Sequence, residues 1–124
     1  MYETNYHRPK TLADAAALLA KSDEAKLLAG GQTLIPTMKQ RLAAPSDVID
    51  LRHIDDLKGI TETGGGGVRI GAAVTHAEVA GSETVRRLIP ALASLAGEIG
   101  DPHVRHMGTI GGSVANNDPA ADYP

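Results

Sequence analysis

The chain has 124 residues, 42% hydrophobic and 22% charged, values that fit one globular domain or part of a larger one. The net charge is −3, no basic run occurs and the only aromatic residues are three Tyr, so nucleic acid is excluded as a partner. Cysteine is absent, which excludes disulfides and cysteine-ligated metal clusters and fits a cytoplasmic protein, and no apolar run approaches the ~18 residues of a membrane span.

Helices and short strands are predicted in alternation along the first half. Thr11 is a candidate N-cap, with Asp14 three residues later as a variant capping box. Pro36 falls in the first turn of a predicted helix, where its missing N–H costs nothing. The predicted elements are a helix over 12–22, a buried strand over 25–31 ended by glycine, a helix over 34–43, a strand over 46–51 and a helical turn over 54–60 that leads into another strand.

The second half continues the alternation. Four consecutive glycines, residues 64–67, predict a flexible hairpin tip before a strand over 68–74. Three further helices are indicated by the capping pair Thr75 and Glu78, by a cap at Ser82, and by Pro90 at the start of a helix over 90–100. The pattern predicts an α/β or α+β class. Because the turn-rich "NNDPAADYP" follows with no closing element, we expect an incomplete domain.

The stretch "LLAGGQTLIP" places glycines between a predicted strand and a predicted helix. Gly30 and Gly31 let the backbone approach a ligand closely, and successive N–H groups together with the helix start suit a phosphate. Thr33 offers an additional hydroxyl donor. A tight strand-to-helix turn without a ligand explains the same residues.

The stretch "MGTIGGSVANNDPAADYP" contains a second glycine cluster. Ser113 is a candidate N-cap for a helix that begins at Val114. The amides and carboxylates that follow suit a phosphorylated, polyhydroxylated ligand, because a carboxylate accepts hydrogen bonds from sugar hydroxyls. An Asx-rich surface loop without a ligand is the alternative.

Several common functional motifs are missing. Neither a P-loop nor the G-x-G-x-x-G fingerprint occurs. "GGSVA" carries Ala115 where the hydrolase nucleophile elbow needs glycine, so we do not expect a hydrolase. His103 and His106 are three residues apart, but no carboxylate spacing supports a metal site, and we expect the histidines to lie at the surface or to form hydrogen bonds.

In combination and in this order, "AGGQTLIP" and "MGTIGGSVANNDPAADYP" resemble the FAD-binding subunit of molybdenum hydroxylases, the family of the carbon monoxide dehydrogenase medium chain and of the xanthine dehydrogenase FAD domain. The segments "YHRPKTLADAAALLA", "DVIDLRHIDDLKGI" and "RIGAAVTHAEV" extend the resemblance over the whole chain. It implies an α+β, two-lobed FAD-binding domain of the vanillyl-alcohol-oxidase type over 1–124, with a first lobe over about 1–57 and the start of a second over 58–124.

The resemblance also implies the residues that bind FAD. The first stretch would wrap the pyrophosphate with its backbone amides, flanked by Leu27 and Leu28. Asn116 and Asp118 are further candidates, and no residue is expected to be catalytic. The implied FAD-binding residues are Ala29, Gly30, Gly31, Gln32, Thr33, Leu34, Thr109, Ile110, Gly111, Gly112, Ser113 and Asp122.

The implied function is electron transfer. In this family a large subunit with a molybdenum cofactor oxidises the substrate, a small iron–sulfur subunit carries the electrons, and FAD in the medium subunit passes them to an external acceptor. Two alternatives stay open: an assembly or ligand-binding module of the same fold without flavin, and a phosphate-binding enzyme of another class.

Overall fold

The computed structural model describes residues 1–123, which form two compact units that divide after Leu57. The five strands are β1 (Asn5–His7), β2 (Lys26–Leu28), β3 (Asp47–Asp50), β4 (Ile60–Glu62) and β5 (Val68–Ile70). The seven helices are α1 (Leu12–Ala20), α2 (Leu34–Lys39), α3 (His76–Gly81), α4 (Glu83–Leu88), α5 (Pro90–Gly97), α6 (Pro102–Met107) and α7 (Ile110–Asn116). The predicted mixture of helices and strands is therefore confirmed.

The first unit is a parallel sheet in the order β1-β3-β2. The central strand β3 is buried on both faces, as parallel strands usually are. Val48 belongs to a hydrophobic cluster with Leu28 of β2 and Met38 of α2. Ile49 belongs to a second hydrophobic cluster, with Ala15 of α1. Helices α1 and α2 therefore cover opposite faces of one short strand.

An ion pair between the buried Asp50 and the partly exposed Arg52 lies at the end of β3. Asp50 is fully buried; Tyr6 Oη donates to Asp50 Oδ2 at 2.5 Å, and Arg52 Nη2 donates to the same oxygen at 2.8 Å. Burial raises the pKa of Asp50, but the hydrogen bonds from Arg52 and Tyr6 outweigh it and hold that pKa well below its usual range. The carboxylate therefore stays charged and ties β1 to β3.

The second unit combines an antiparallel hairpin with five helices. Strands β4 and β5 pair from Ile60↔Ile70 to Glu62↔Val68, with the predicted glycine turn between them. The core contains the fully buried Val79 of α3 and Val85 of α4, and the helices pack on each other around it. The predicted caps are confirmed: Thr75 and Glu78 form a complete capping box, and Ser82 Oγ accepts from Val85 N.

Three predictions about elements need correction. Strand β5 ends at Ile70 instead of continuing to Val74, because Gly71 begins a turn in which its carbonyl accepts from Val74 N. Strand β2 lies at the edge of its sheet and is buried on one face only, so that Leu27 is 44% exposed. Helix α7 starts at Ile110 and not at Val114, because Thr109 is its N-cap.

Candidate functional site

The first glycine segment, residues 29–34, connects β2 to α2 in the first unit. Gly31 has φ +74°, a conformation that side chains with a Cβ disfavour. A Cβ built there would lie 2.6 Å from Ile35 Cδ1. The backbone conformation favours glycine at this position, and a Cβ would in addition displace the end of the Ile35 side chain.

The backbone amides of the first glycine segment have no partners. Within the described chain, residues 1–123, none of the amides of residues 29–34 donates a hydrogen bond, although the next amide, Ile35 N, donates to Gly31 O at 3.0 Å. Gln32 Nε2 donates to Gly30 O at 3.3 Å, and Thr33 precedes α2 without capping it through its side chain. Amides at a helix start have no intrahelical partner, so these N–H groups are available to an acceptor from outside the chain, either water or a ligand.

The second glycine segment, residues 108–113, lies in the second unit and is built differently. Thr109 is buried, takes an extended conformation and pairs with Thr75 in an isolated β-bridge. Its Oγ1 accepts from Gly112 N at 3.0 Å, which makes Thr109 the N-cap of α7. The prediction that Ser113 caps a helix beginning at Val114 is therefore wrong: Ser113 is the fourth residue of that helix.

Every amide in the first turn of α7 is paired within the chain. Ile110 N donates to Val74 O and Gly111 N donates to Ala72 O, each at 3.0 Å. The next two amides, of Gly112 and Ser113, donate to the side chain and the carbonyl of Thr109. No N–H of this turn is left for an anion.

The glycine at 111 serves packing. A Cβ built on Gly111 would lie 2.5 Å from the carbonyl oxygen of Ala72 and 2.9 Å from its Cα. These are backbone atoms, so no side-chain rotation relieves the clash. Gly111 therefore allows α7 to begin directly against the turn that follows β5.

The loop over residues 117–123 follows α7. Asn117 ends the helix in the left-handed conformation, with φ 49°. Asp118 organises the next turn, since its Oδ1 accepts from Ala120 N at 2.9 Å and its carbonyl accepts from Ala121 N. Asp122 is exposed, and its carboxylate carries a negative charge beside Tyr123 and His76.

His76 is a site residue that the sequence did not single out. It is buried at 5% exposure, and its Nδ1 shares a hydrogen bond of 3.0 Å with Tyr123 Oη. Burial lowers the pKa of His76 below the usual 6.5, with the charge of Asp122 opposing that shift. Burial and the charge of Asp122 raise the pKa of Tyr123 to about 12. Both groups are therefore neutral at pH 7.

The other histidines form no metal site. His103 Nδ1 lies 3.1 Å from Asp101 Oδ1, and His106 Nδ1 lies 2.7 Å from Pro102 O. Among residues 1–123 no group of three or more metal-ligating side chains converges. Nor does this part of the chain contain a helix long and apolar enough to cross a membrane.

Comparison with known proteins gives consistent matches. Residues 2–124 match the family model described as the FAD binding domain in molybdopterin dehydrogenase. The chain is 50% identical to the carbon monoxide dehydrogenase medium chain of Afipia carboxidovorans over 97% of its own length and 42% of that protein's. It is 36% identical to the xanthine dehydrogenase FAD-binding subunit of Escherichia coli, over 95% of its length and 40% of that subunit.

A solved structure agrees with these relatives. The carbon monoxide dehydrogenase of Hydrogenophaga pseudoflava superimposes with a TM-score of 0.92 at 44% identity, covering 95% of this chain and 41% of the matched chain. The chain thus spans about two fifths of the length of the relatives it matches. It belongs to the family of FAD-binding domains of molybdopterin dehydrogenases, as the resemblance in its glycine motifs predicts.

Proposed function

We propose that this chain binds FAD as part of the flavin subunit of a molybdenum-containing hydroxylase, and that the first glycine segment binds the pyrophosphate of the cofactor. The observation that supports this most strongly is the run of unpaired amides over residues 29–34. A pyrophosphate offers several acceptor oxygens to such a run, and successive amides form the kind of concavity that binds anions. The residues present therefore fit the cofactor that defines the family.

Neighbouring side chains complete this proposed contact. The Thr33 hydroxyl is not engaged in capping α2, so it can donate to a phosphate oxygen. Leu27 is 44% exposed and offers apolar surface beside the segment. Leu28, by contrast, is buried against Met38, so its side chain packs β2 against α2.

The second glycine segment makes a different proposed contribution. Since the amides of its first helical turn are paired internally, it would contact FAD through the surface of that turn and not through an amide cluster. Asp122 keeps its carboxylate exposed and can accept hydrogen bonds from cofactor hydroxyls. The FAD contacts at Thr109, Ile110, Gly111, Gly112, Ser113 and Asp122 remain a prediction.

The role in the whole enzyme is electron transfer. Bound flavin supplies the redox chemistry, and the protein supplies binding and electrostatics. We propose that electrons arrive from an iron–sulfur subunit, which in turn serves a large molybdenum subunit, and that they leave to an external acceptor in the cytoplasm. Cysteine is absent from this chain, which therefore supplies no thiolate ligand to such a cluster. The two units would be the first lobe and the start of the second lobe of a vanillyl-alcohol-oxidase-type domain.

One observation favours a second candidate function. The four amides of the first turn of α7 all donate within the chain, so this turn forms without a ligand. A module of the same fold that supports subunit assembly without flavin would show this feature. Purification with molybdenum and iron–sulfur partners but without flavin would identify it.

A matched pair of glycine substitutions tests the leading proposal. Gly31 and Gly65 have φ +74° and +78°, so alanine meets a positive φ at both positions, and at Gly31 its Cβ also meets the Ile35 side chain. Only Gly31 belongs to the segment with unpaired amides. We expect Gly31→Ala to lose at least tenfold in FAD affinity.

Gly65→Ala is the control and should keep the FAD affinity of the wild type, because nothing lies within 4 Å of its built Cβ. Flavin absorbance and titration of the apoprotein with FAD measure both variants. Wild-type protein that takes up no FAD, or a Gly31→Ala variant that binds it unchanged, contradicts the proposal.

A further inference from the structure

His76 is the first residue of α3 and is one of three polar or charged residues buried in the described chain, with Asp50 and Thr109. A buried imidazole loses hydration, so its position in the core calls for specific partners. All of its partners belong to residues 108–123, the second glycine segment and the loop after α7.

The first contact of His76 is with Gly108, the first residue of the second glycine segment. His76 N donates to Gly108 O at 3.1 Å. A Cβ built on Gly108 would lie 3.0 Å from His76 Cδ2, so the imidazole ring occupies the space beside this glycine. Backbone and ring of one histidine therefore fix where the second glycine segment begins.

The imidazole of His76 also contacts Tyr123, at the end of the loop after α7, and Ser113 of α7. His76 Nδ1 lies 3.0 Å from Tyr123 Oη, and the two rings pack at a centroid distance of 5.1 Å. His76 Nε2 lies 3.5 Å from Ser113 Oγ, at the long limit of hydrogen bonding. A neutral imidazole has one donor and one acceptor nitrogen, and each hydroxyl can donate or accept, so both contacts can form with either tautomer.

We propose that His76 is a positioning residue for FAD: it fixes the second glycine segment and, through Tyr123, the exposed carboxylate of Asp122. This inference rests on the proposed function, because it supposes that these residues contact the cofactor. His76 itself is buried and acts only through residues 108–123.

The test compares two substitutions of His76 with a control on the same helix. His76→Leu removes both ring nitrogens, whereas His76→Asn keeps a polar group near the position of Nδ1. Val79→Ala removes fully buried volume from α3, in the cluster against which Tyr123 packs, but none of the hydrogen bonds between His76 and residues 108–123. It therefore reports the effect of lost core packing alone. Each variant is made in the complete natural polypeptide and measured at a temperature at which it is folded.

FAD titration gives the first readout. We expect His76→Leu to raise the FAD dissociation constant about tenfold and His76→Asn to recover most of that loss. Tyr123→Phe should weaken binding in the same direction, and combining it with His76→Leu should add little, because both remove one interaction. Unchanged binding by His76→Leu, or an equal loss in Val79→Ala, overturns the inference.

Hydrogen exchange of the apoprotein gives a readout that does not need flavin. The amides of Ala120 and Ala121 bond within the loop over residues 117–123, so their exchange reports whether this loop is held in place. His76→Leu should accelerate their exchange and Val79→Ala should not. A wild type without FAD affinity refutes the proposed function, whereas unchanged exchange in His76→Leu refutes the anchoring by His76.

Discussion

The two glycine segments resemble each other in sequence and differ in the state of their backbone amides. In residues 29–34 glycine provides a positive φ and leaves a run of N–H groups without partners. In residues 108–113 glycine lets a helix begin against the backbone of Ala72, and every amide of its first turn is paired. The same residue type thus exposes donors in one place and permits close packing in the other.

The comparison makes a general point about glycine motifs. A cluster of glycines near a helix start shows only that a side chain would be unfavourable there. Whether the reason is a ligand or a neighbouring backbone depends on where the N–H groups donate. For this protein, substitutions in the first segment should change cofactor binding, and substitutions in the second should change stability first.

The largest effect on stability is expected at Gly111. Gly111→Ala forces a Cβ against the backbone of Ala72, and we expect the free energy of unfolding to fall by about 2 kcal/mol. Gly97→Ala is the control, since a Cβ on this α5 residue meets Ala80 at an ordinary 3.8 Å. Urea denaturation measures both variants. A Gly111→Ala protein of normal stability that no longer binds FAD would break the comparison.

A smaller effect is expected at the two threonines. Thr109→Ala removes the N-cap bond to Gly112 N and should cost about 1 kcal/mol, while Thr109→Ser retains it. Thr33 also precedes a helix but makes no side-chain cap bond, so Thr33→Ala should change stability by less than about 0.5 kcal/mol. Equal losses of stability at the two positions would show that both segments are capped alike.

The smallest effect on stability is expected from a change of pH. It should act through His76, which contacts the second glycine segment. Burial lowers the pKa of His76 in the folded protein, so the unfolded chain binds more protons once the pH falls below its usual 6.5. Stability should therefore decrease from about pH 7 towards about pH 5.5. Residues 29–34 contain no titratable side chain and contribute no such dependence.

Urea midpoints across this pH range, for the wild type and for His76→Asn, check the assignment of the pH effect. The substitution should flatten the profile, because it removes the group that titrates. A profile of unchanged slope in His76→Asn would assign the pH dependence to another residue.

Local signals in the sequence predicted most helix starts. Thr11, Thr75 and Ser82 each cap a helix as expected, because a cap depends on residues only three positions apart. Thr109, which precedes the apolar Ile110, carries the same local signal. The signal is also present for α6, whose N-cap Asp101 is followed by Pro102 at the first helical position.

Features that depend on distant residues could not be predicted. Strand β1 has three residues and no alternating pattern, and it exists because it pairs with β3. The burial of His76 depends on the packing of Tyr123, 47 positions further along. The difference between the glycine segments likewise rests on the carbonyls of Ala72 and Val74, which lie outside either motif.

The strand order of the first unit has a consequence for how the chain folds. Strands β1 and β2 pair only with β3, through Asn5↔Asp47 and Lys26↔Val48, although β3 is the last of these three strands along the chain. Such non-local pairing slows folding and leaves strand edges open until it is complete. During synthesis β2, which leads into Gly30 and Gly31, therefore has no partner until β3 has been made. Strands β4 and β5 are neighbours in sequence and can pair as soon as both have emerged.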